Sequence, residues 1–248
     1  MEEGQTDGDA TRCAVLLVAG VGSRLRPLTD DRPKALVEVA GETILHRAVR
    51  LLIQYGITRL VLATGYREDA VRAALEGLGI ELVFCPNPQF DSTQNSVSLA
   101  LCADAVGERS FFKLDGDVIF QPELLPRLDA SQAELAVGVD AGRKLDEEAM
   151  KVVVGSGRRI ETFGKAVSIA HSAGESIGVE RISGRLSKRL FEALSGCGRD
   201  LYYEDVYAQL IAQGALEAEA VDVSDLPWTE IDTFEDLQHA RQLLGAPS

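Results

Sequence analysis

An apolar segment that runs directly into a glycine-bearing, basic loop is the feature that most constrains this chain. Residues 13–18 are apolar and predict a buried first strand. Gly20 and Gly22 follow, and because neither carries a side chain, the backbone N–H groups of this loop can approach a polyphosphate closely. Arg24 and Lys34 add two cations to the same segment. The sequence is neither a phosphate-loop motif, Gly-x-x-x-x-Gly-Lys-Ser/Thr, nor a dinucleotide fingerprint, whose third glycine is missing.

Strand and helix patterns alternate through the first half of the chain. The predicted strands cover residues 13–18, 57–64, 80–85 and 111–114, and the predicted helices cover 43–55 (capped by Thr43), 67–75 and 95–103. The second half is less regular, with a hairpin of 151–154 and 158–163, strands at 176–182 and 218–223, and helices at 186–194, 205–213 and 233–244 (capped by Thr233). This alternation predicts an α/β fold, a Rossmann-like and mainly parallel sheet with helices on both faces. Ligands of such sheets bind at the carboxyl ends of the strands.

Composition and charge limit the classes of partner. The chain has 248 residues, 46% of them hydrophobic, and a formal net charge of −14 without a basic run. This excludes a nucleic-acid partner, because nucleic-acid binding requires clustered Lys and Arg. No apolar run is long enough to span a membrane, and the acidic, polar start is unlike a signal peptide, so we expect a cytoplasmic protein. The four cysteines are scattered and predict neither a metal knuckle nor a redox pair.

Two acidic segments predict a metal site. The strand at 111–114 leads into Asp115-Gly116-Asp117, and Glu230 and Asp232 share one face of an extended segment near the end of the chain. A hard divalent cation that bridges triphosphate oxygens takes one or two carboxylates and several waters. Two alternatives stay open at this point. Asp232 could only cap the last helix, and Asp115-Gly116-Asp117 could be the metal-binding Asp-x-Asp of a glycosyltransferase.

The run from Leu17 to Lys34 resembles the signature loop of the NTP-transferase superfamily, which includes the sugar-nucleotide pyrophosphorylases. The family pattern is roughly Leu-Ala-Ala-Gly-x-Gly-x-Arg, then Pro-Leu-Thr, then Pro-Lys, and the chain departs from it at Val18. The resemblance extends over residues 13–244. Segments at 94–99, 150–152, 163–165, 174–178, 202–205 and 222–232 resemble the small phosphocholine cytidylyltransferase branch. That branch also includes enzymes that act on inositol phosphate and on phosphonates.

The resemblance implies a Mg²⁺-dependent nucleotidyltransferase fold and activity. Such an enzyme would transfer CMP from CTP to a small phosphorylated or phosphonate alcohol or amine, such as phosphocholine, and would release pyrophosphate. Residues 12–248 would form a single domain, with a nucleotide-binding part at 12–140 and an acceptor-binding part at 141–248, after a disordered tail at 1–11. The enzyme could also form a homo-oligomer.

The resemblance also implies roles for single residues. Lys34 and Arg24 would be catalytic, and Mg²⁺ would be held by Asp117 and Asp232 with support from Glu230. The nucleotide would contact Leu17, Ala19, Gly20, Gly22, Ser23, Arg24, Gln94, Asn95, Ser98 and Asp115. The acceptor would contact Lys151, Lys165, Glu175, Tyr202, Tyr203, Glu204, Asp205 and Trp228.

For several of these residues the sequence leaves a structural alternative open. An amide such as Asn95 can read a pyrimidine edge, yet it could also only cap a helix. Lys151 and Lys165 could be solvated charges, and the aromatic residues could belong to the core. If the aromatic rings do line the acceptor pocket, their faces and the neighbouring carboxylates would suit an ammonium group.

Three other functions remain open from the sequence. They are a uridylyl- or thymidylyltransferase for sugar 1-phosphates, an Asp-x-Asp glycosyltransferase, and a non-catalytic regulatory homologue. The chain length and the segment at 228–232 disfavour the first. A glycosyltransferase of that type does not need Lys34, and a non-catalytic homologue would be expected to have lost Lys34 or the metal aspartates.

Overall fold

The computed structural model describes residues 12–245, so the predicted tail at 1–11 lies outside the described residues. The strands are β1 (Cys13–Leu17), β2 (Glu38–Val39), β3 (Glu42–Thr43), β4 (Arg59–Thr64), β5 (Glu81–Pro86), β6 (Phe111–Asp115), β7 (Val118–Ile119), β8 (Leu135–Asp140), β9 (Lys151–Val154), β10 (Ile160–Gly164), β11 (Gly174–Ile182), β12 (Ala218–Asp222) and β13 (Thr229–Glu230). The helices are α1 (Ile44–Tyr55), α2 (Glu68–Ala74), α3 (Asn95–Ala100), α4 (Ala103–Val106), α5 (Leu124–Asp129), α6 (Gly184–Gly196), α7 (Tyr203–Ala212) and α8 (Phe234–Leu243). Within this range, no helix combines the length and apolar character needed to cross a membrane.

Most strands of the described chain form one central sheet in the order β10-β9-β11-β6-β1-β4-β5, and β8 pairs with both β11 and β12. The part that carries the glycine loop is parallel, since β1 pairs in parallel with β4 and β6, and β4 with β5. Strand β11 then returns antiparallel to β6. The parallel part and its crossover helices confirm the predicted α/β fold, and β9 with β10 confirms the predicted hairpin.

Helices cover both faces of the sheet because successive side chains of a strand point to opposite sides. Val15 of β1 packs into a core shared with α3, α6 and α7. Its neighbour Leu16 packs into a second core shared with α1, α2 and α5. Burial on both faces is the reason that β1 shows an uninterrupted apolar run.

The sequence pattern does not predict α5 and β8. All six residues of β8 are buried, so the strand shows no apolar–polar alternation that would mark it. Gly138 in its middle lies against β11, where a Cβ would be 3.0 Å from Cγ1 of Ile177. The helix predicted over 95–103 is wrong in one respect, because the structure divides that segment into α3 and α4.

Thr43 and Thr233 cap α1 and α8 as predicted. Thr43 Oγ1 accepts the N–H of His46 at 3.1 Å. Thr233 and Asp236 form a reciprocal capping box at the start of α8, in which Asp236 accepts the N–H of Thr233 at 2.8 Å. Because Thr233 is the cap, the side chain of Asp232 is not needed in that role.

Candidate active site

The glycine loop leaves the carboxyl end of β1 and closes on itself through Gly22. This residue has φ +70°, which is in the left-handed region, and a Cβ there would lie 2.7 Å from Cβ of Lys34. The buried Thr29 donates its hydroxyl to the Gly22 carbonyl at 2.8 Å and holds the turn. Gly22 therefore allows the side chain of Lys34 to pack across the loop.

A second close approach places Asp117 opposite this loop. A Cβ on Gly116 would lie 2.5 Å from the Leu17 carbonyl oxygen and 2.6 Å from a methyl group of Val18, so only glycine fits there. Beyond it, β7 pairs with β13, and the N–H of Ile231 donates to the Asp117 carbonyl at 3.0 Å. This ladder brings the late acidic segment to the end of β6.

Lys34 lies between two of these acids. Its Nζ is 2.5 Å from Asp117 Oδ2 and 2.6 Å from Asp232 Oδ1, and Arg24 Nη2 is 2.7 Å from Asp232 Oδ2. Burial by itself would lower the pKa of Lys34, but the charges of Asp117 and Asp232 outweigh burial and hold it above its usual value. The predicted catalytic and metal-binding residues are thus brought together at one place.

The same acids suit a divalent cation. Asp117, Glu230 and Asp232 each offer a carboxylate oxygen, and these oxygens lie within 4.8 Å of one another. Asp117 Oδ1 is buried and has no hydrogen-bond partner among residues 12–245. A set of carboxylate oxygens with one of them unpartnered fits Mg²⁺, which prefers hard oxygen ligands and keeps several waters.

Two adjoining cavities meet at Arg24 and Asp232. The loop cavity, about 260 Å³, is lined by Leu17, Val18, Gly20, Gly22, Ser23, Arg24, Lys34, Ala35, Gly116, Asp117 and Asp232. The acidic cavity is about 440 Å³, and its charged lining residues are Asp115, Asp146, Glu148, Glu175, Glu204, Glu230, Asp232, Glu235, Asp236, Arg24, Arg143 and Lys165. Because carboxylates outnumber basic groups in this lining, the acidic cavity favours a ligand with a positive charge.

Buried polar atoms in the acidic cavity point to a ligand as well. Glu204 is 5% exposed, and its Oε2 has no hydrogen-bond partner within the described chain. Burial raises the pKa of Glu204 to about 8, and burial also raises the pKa of Glu175. The hydroxyl of Ser176, 7% exposed, is unpartnered too. Lys165 lies in the same lining, 3.1 Å from Glu148 and 5.0 Å from the ring centre of Tyr202.

Beneath this cavity, the fully buried pair of Lys113 and Glu180 contacts Asp115, which lines the cavity wall. Lys113 Nζ is 2.9 Å from Glu180 Oε2, 3.2 Å from Asp115 Oδ1 and 3.6 Å from the ring centre of Tyr203. The Tyr203 hydroxyl donates to Asp115 Oδ2 at 2.8 Å. Burial by itself would lower the pKa of Lys113, but Asp115 and Glu180 raise it above its usual value. Both oxygens of Asp115 are thereby fixed.

Comparison with known proteins agrees with this geometry. Residues 14–172, well over half of the chain, match the MobA-like NTP transferase domain. The chain belongs to the MobA-like NTP transferase family. This confirms the superfamily that the loop sequence predicts.

Several proteins with similar sequences or folds have names that mention CMP or CTP. CMP-5'-(3-aminopropyl)phosphonate synthase from Streptomyces rubellomurinus is 32% identical over 92% of this chain, but the chain spans only 38% of that protein's length. CTP:phosphoglutamine cytidylyltransferase from Campylobacter jejuni is 28% identical, over 91% of this chain and 97% of the relative. The solved inositol-1-phosphate CTP transferase from T. maritima superposes with a TM-score of 0.82 at 27% identity, over 96% of each chain.

Within this family member, not every residue predicted for the nucleotide lies in a cavity. Leu17, Gly20, Gly22, Ser23 and Arg24 line the loop cavity, whereas Asn95 and Asp115 line the acidic cavity. The amide oxygen of Asn95 accepts the N–H of Tyr203 at the start of α7. Ala19, Gln94 and Ser98 line neither of the two cavities, and their contacts with the nucleotide stay predictions. Ser98 is buried, and its hydroxyl oxygen accepts a hydrogen bond from the Asn87 amide.

The predicted acceptor set divides in the same way. Lys165, Glu175, Tyr202 and Glu204 line the acidic cavity. Lys151 does not. It is 2% exposed, and its Nζ donates to the carbonyls of residues 146, 147 and 149 at 3.0–3.1 Å. The prediction that Lys151 binds a phosphate is therefore wrong, since its charge supports the 146–149 loop.

Three further acceptor predictions are corrected by the structure. Trp228 donates its indole N–H to Asp140 at 2.7 Å and faces a separate depression beside Arg143. Tyr203 is fully buried in the network around Lys113. Asp205 accepts the N–H of Tyr202 at 2.8 Å and caps α7. These three side chains pack next to the site but line neither of its two cavities.

Sequence reasoning also misses residues that shape the site. Lys113 and Glu180 hold Asp115, and Arg143 and Ser176 line the acidic cavity. The one available signal is a lysine inside the apolar strand Phe111–Asp115, because a charge that cannot reach water needs a buried partner.

Proposed function

We propose that this protein transfers the cytidylyl group of CTP to a phosphate or phosphonate oxygen of a small acceptor and releases pyrophosphate. The observation that carries the proposal is Lys34, which lines the loop cavity and contacts Asp117 and Asp232, and Asp232 also lines the acidic cavity. CTP is chosen over other triphosphates because the relatives named above act with CTP or form a CMP compound.

The chemistry would be an in-line displacement. The acceptor oxygen attacks the α-phosphorus, the bond from that phosphorus to the bridging oxygen breaks, and pyrophosphate leaves. The acceptor oxygen is already anionic at neutral pH, so no strong base is needed. Lys34 would neutralise charge at the α-phosphate, Arg24 would bind the departing phosphates, and the loop N–H groups would orient the chain of phosphates.

Mg²⁺ would be held by Asp117 and Asp232, with Glu230 beside them. When bound there, the ion would neutralise phosphate charge and align the reacting oxygens. Asp117→Asn and Asp232→Asn are each expected to raise the Mg²⁺ concentration needed for half-maximal rate by about tenfold or more. A steady-state Mg²⁺ titration checks this, with Glu148→Gln as the matched loss of one carboxylate. Equal shifts in all three variants would argue against the shared metal site.

The acidic cavity would hold the acceptor. Lys165 would contact the acceptor phosphate, and Glu175, Glu204 and the ring of Tyr202 would contact a cationic group at its other end. Support comes from the excess of carboxylates and from the unpartnered Oε2 of Glu204, whose ionised form a ligand ammonium would favour.

A matrix of substrates tests the proposal. CTP, UTP, dTTP and GTP are each combined with phosphocholine, aminoethylphosphonate, inositol 1-phosphate and glucose 1-phosphate, and pyrophosphate release is measured. We expect release with CTP and an ammonium-bearing acceptor, and a CMP conjugate in the mass spectrum. Release confined to UTP or dTTP with glucose 1-phosphate would replace this proposal with a sugar-nucleotide one. A preference for inositol 1-phosphate would overturn the proposal of a cationic acceptor but not that of cytidylyl transfer.

A further inference from the structure

The two cations of the glycine loop already lie on the acids that face them. Lys34 Nζ contacts one oxygen of Asp117 and one of Asp232, at 2.5 and 2.6 Å. Arg24 contacts the second oxygen of Asp232 at 2.7 Å. Of the four oxygens of this aspartate pair, only Asp117 Oδ1 lacks a partner within residues 12–245. The cations of the loop therefore neutralise these two acids.

These contacts compete with ligands. A dication bound to both aspartates would need an oxygen of Asp232, and Lys34 and Arg24 contact both of these oxygens. A triphosphate would need the ammonium group that the aspartates contact. The side chain of Lys34 is 15% exposed, so water and salt screen its repulsion of a second cation only weakly. A dication and Lys34 thus cannot share the two aspartates without a large loss of affinity.

We propose that Lys34 is a built-in counter-ion that masks Asp117 and Asp232, so that a divalent cation and a nucleoside triphosphate bind together and each binds poorly alone. The choice of these two ligands rests on the proposed function. When a triphosphate binds, Lys34 leaves the carboxylates for the phosphates, and the released oxygens become available to the dication. The site then exchanges the ion pairs that Lys34 makes with Asp117 and Asp232 for ion pairs with its two ligands.

Removing the masking charge tests this without turnover. Mn²⁺ serves as the probe, because it takes oxygen ligands like those of Mg²⁺ and free Mn²⁺ is measured directly by electron paramagnetic resonance. Without nucleotide, Lys34→Met is expected to bind Mn²⁺ at least about tenfold more tightly than the wild type. Lys165→Met, the same charge change on the adjoining cavity, is expected to stay within about twofold of the wild type.

Two results would overturn the proposal. One is a Lys34→Met protein whose Mn²⁺ affinity is no higher than that of the wild type. The other is an equal gain in Lys165→Met, which would show a general charge effect. Circular dichroism establishes that each variant is folded, and Lys34→Gln, which keeps a donor without the charge, replaces Lys34→Met if that protein does not fold.

The reciprocal experiment removes a masking acid. Asp232→Asn is expected to bind CTP in EDTA several-fold more tightly than the wild type, because Lys34 and Arg24 lose a competing partner. Glu148→Gln, with the same loss of charge, is expected to bind CTP in EDTA like the wild type. Calorimetry measures both. Unchanged or weaker binding by Asp232→Asn would contradict masking.

These outcomes are separate from those for the proposed function. If no substrate pair releases pyrophosphate, the proposed transfer fails, while tighter Mn²⁺ binding by Lys34→Met still supports masking. If the wild type transfers CMP but Lys34→Met binds Mn²⁺ no better than the wild type, only masking fails.

Discussion

Two lysines of this chain lie among carboxylates, and one of them is enclosed whereas the other borders a cavity. Lys113 is 0% exposed and contacts Glu180, Asp115 and the ring of Tyr203. Lys34 contacts Asp117 and Asp232 at the wall of the loop cavity. The difference lies in what surrounds the ion pairs and not in their distances, which are similar.

This comparison separates a structural charge from an exchangeable one. A buried charge enclosed by its partners is costly to disrupt, because removing one member leaves the others charged and unpaired. A charged side chain that itself lines a cavity, as Lys34 does, can move to a ligand that brings its own charge. The same pairing therefore holds the sheet together at Lys113 and prepares for substrate at Lys34.

Matched substitutions at the two lysines test the comparison most severely. Lys113→Met is expected to lower the free energy of unfolding by about 3–5 kcal/mol, because Glu180 remains fully buried without a cation. Lys34→Met is expected to cost less than half as much. Urea unfolding followed by circular dichroism measures both values. Equal losses would show that Lys34 is as structural as Lys113.

The second prediction concerns turnover. Lys34→Met is expected to lower kcat about 10²–10³-fold while the protein stays folded, because its charge acts where charge develops on the phosphates. Lys165→Met is the control and is expected mainly to raise KM for the acceptor. A kcat of Lys34→Met within about threefold of the wild type would remove Lys34 from the proposed mechanism.

The third prediction concerns Glu204, a buried acid in the lining of the acidic cavity. Burial raises the pKa of Glu204 from 4.5 to about 8, and Lys113, Asp115 and Glu180 are the charged groups around it. The folded carboxyl keeps its proton to a higher pH than the unfolded one, so this group lowers stability as pH rises from about 4.5 to 8. Glu204→Gln is expected to gain about 1 kcal/mol of stability per pH unit over the wild type in that window.

Thermal unfolding between pH 5 and 9 measures this difference, which should level off above about pH 8. The same variant is expected to raise KM for an ammonium-bearing acceptor, since the proposed partner of the ammonium is lost. A stability difference that does not change with pH would show that Glu204 ionises normally in the folded protein.

The smallest expected effect distinguishes two aromatic residues. Tyr202 lines the acidic cavity, so Tyr202→Leu is expected to raise KM for phosphocholine about two- to fivefold. Trp228 faces away from it, and Trp228→Leu is expected to leave this KM within about twofold. Initial-rate measurements at varied phosphocholine concentration give the KM of both variants. A larger effect at Trp228 would place the acceptor in the other depression.

The sequence predicts those parts of the site that lie in contiguous motifs. The loop from Leu17 to Lys34 and Asp117 lie next to the ends of neighbouring parallel strands, so their meeting follows from the parallel fold. Glu230 and Asp232 also lie in a short acidic segment, which the antiparallel pair of β7 and β13 brings to the same place. The central strands and the caps of α1 and α8 are predictable for the same reason, since apolar runs and Thr caps are local signals.

The positions of the other side chains near the site depend on contacts between distant segments of the chain. Whether Lys151 reaches a ligand is decided by how the 146–149 loop folds over its Nζ. Whether Tyr203 and Trp228 line a pocket is decided by partners on other elements, Asp115 and Asp140. No local pattern in the sequence marks these partners. The sequence therefore predicts that such side chains lie near the site, but not whether they line its cavity.

The short ladder between β7 and β13 has a consequence for biosynthesis. It ties Asp117 to a segment that leaves the ribosome more than a hundred residues later, through pairing at Thr229 and Glu230 and the bond from Ile231. A nascent chain that has already formed β1, β4 and β6 carries the loop and Asp117 but still lacks Asp232. The glycine loop and Asp117 therefore exist before Glu230 and Asp232, and the site is completed only after residue 232 has left the ribosome.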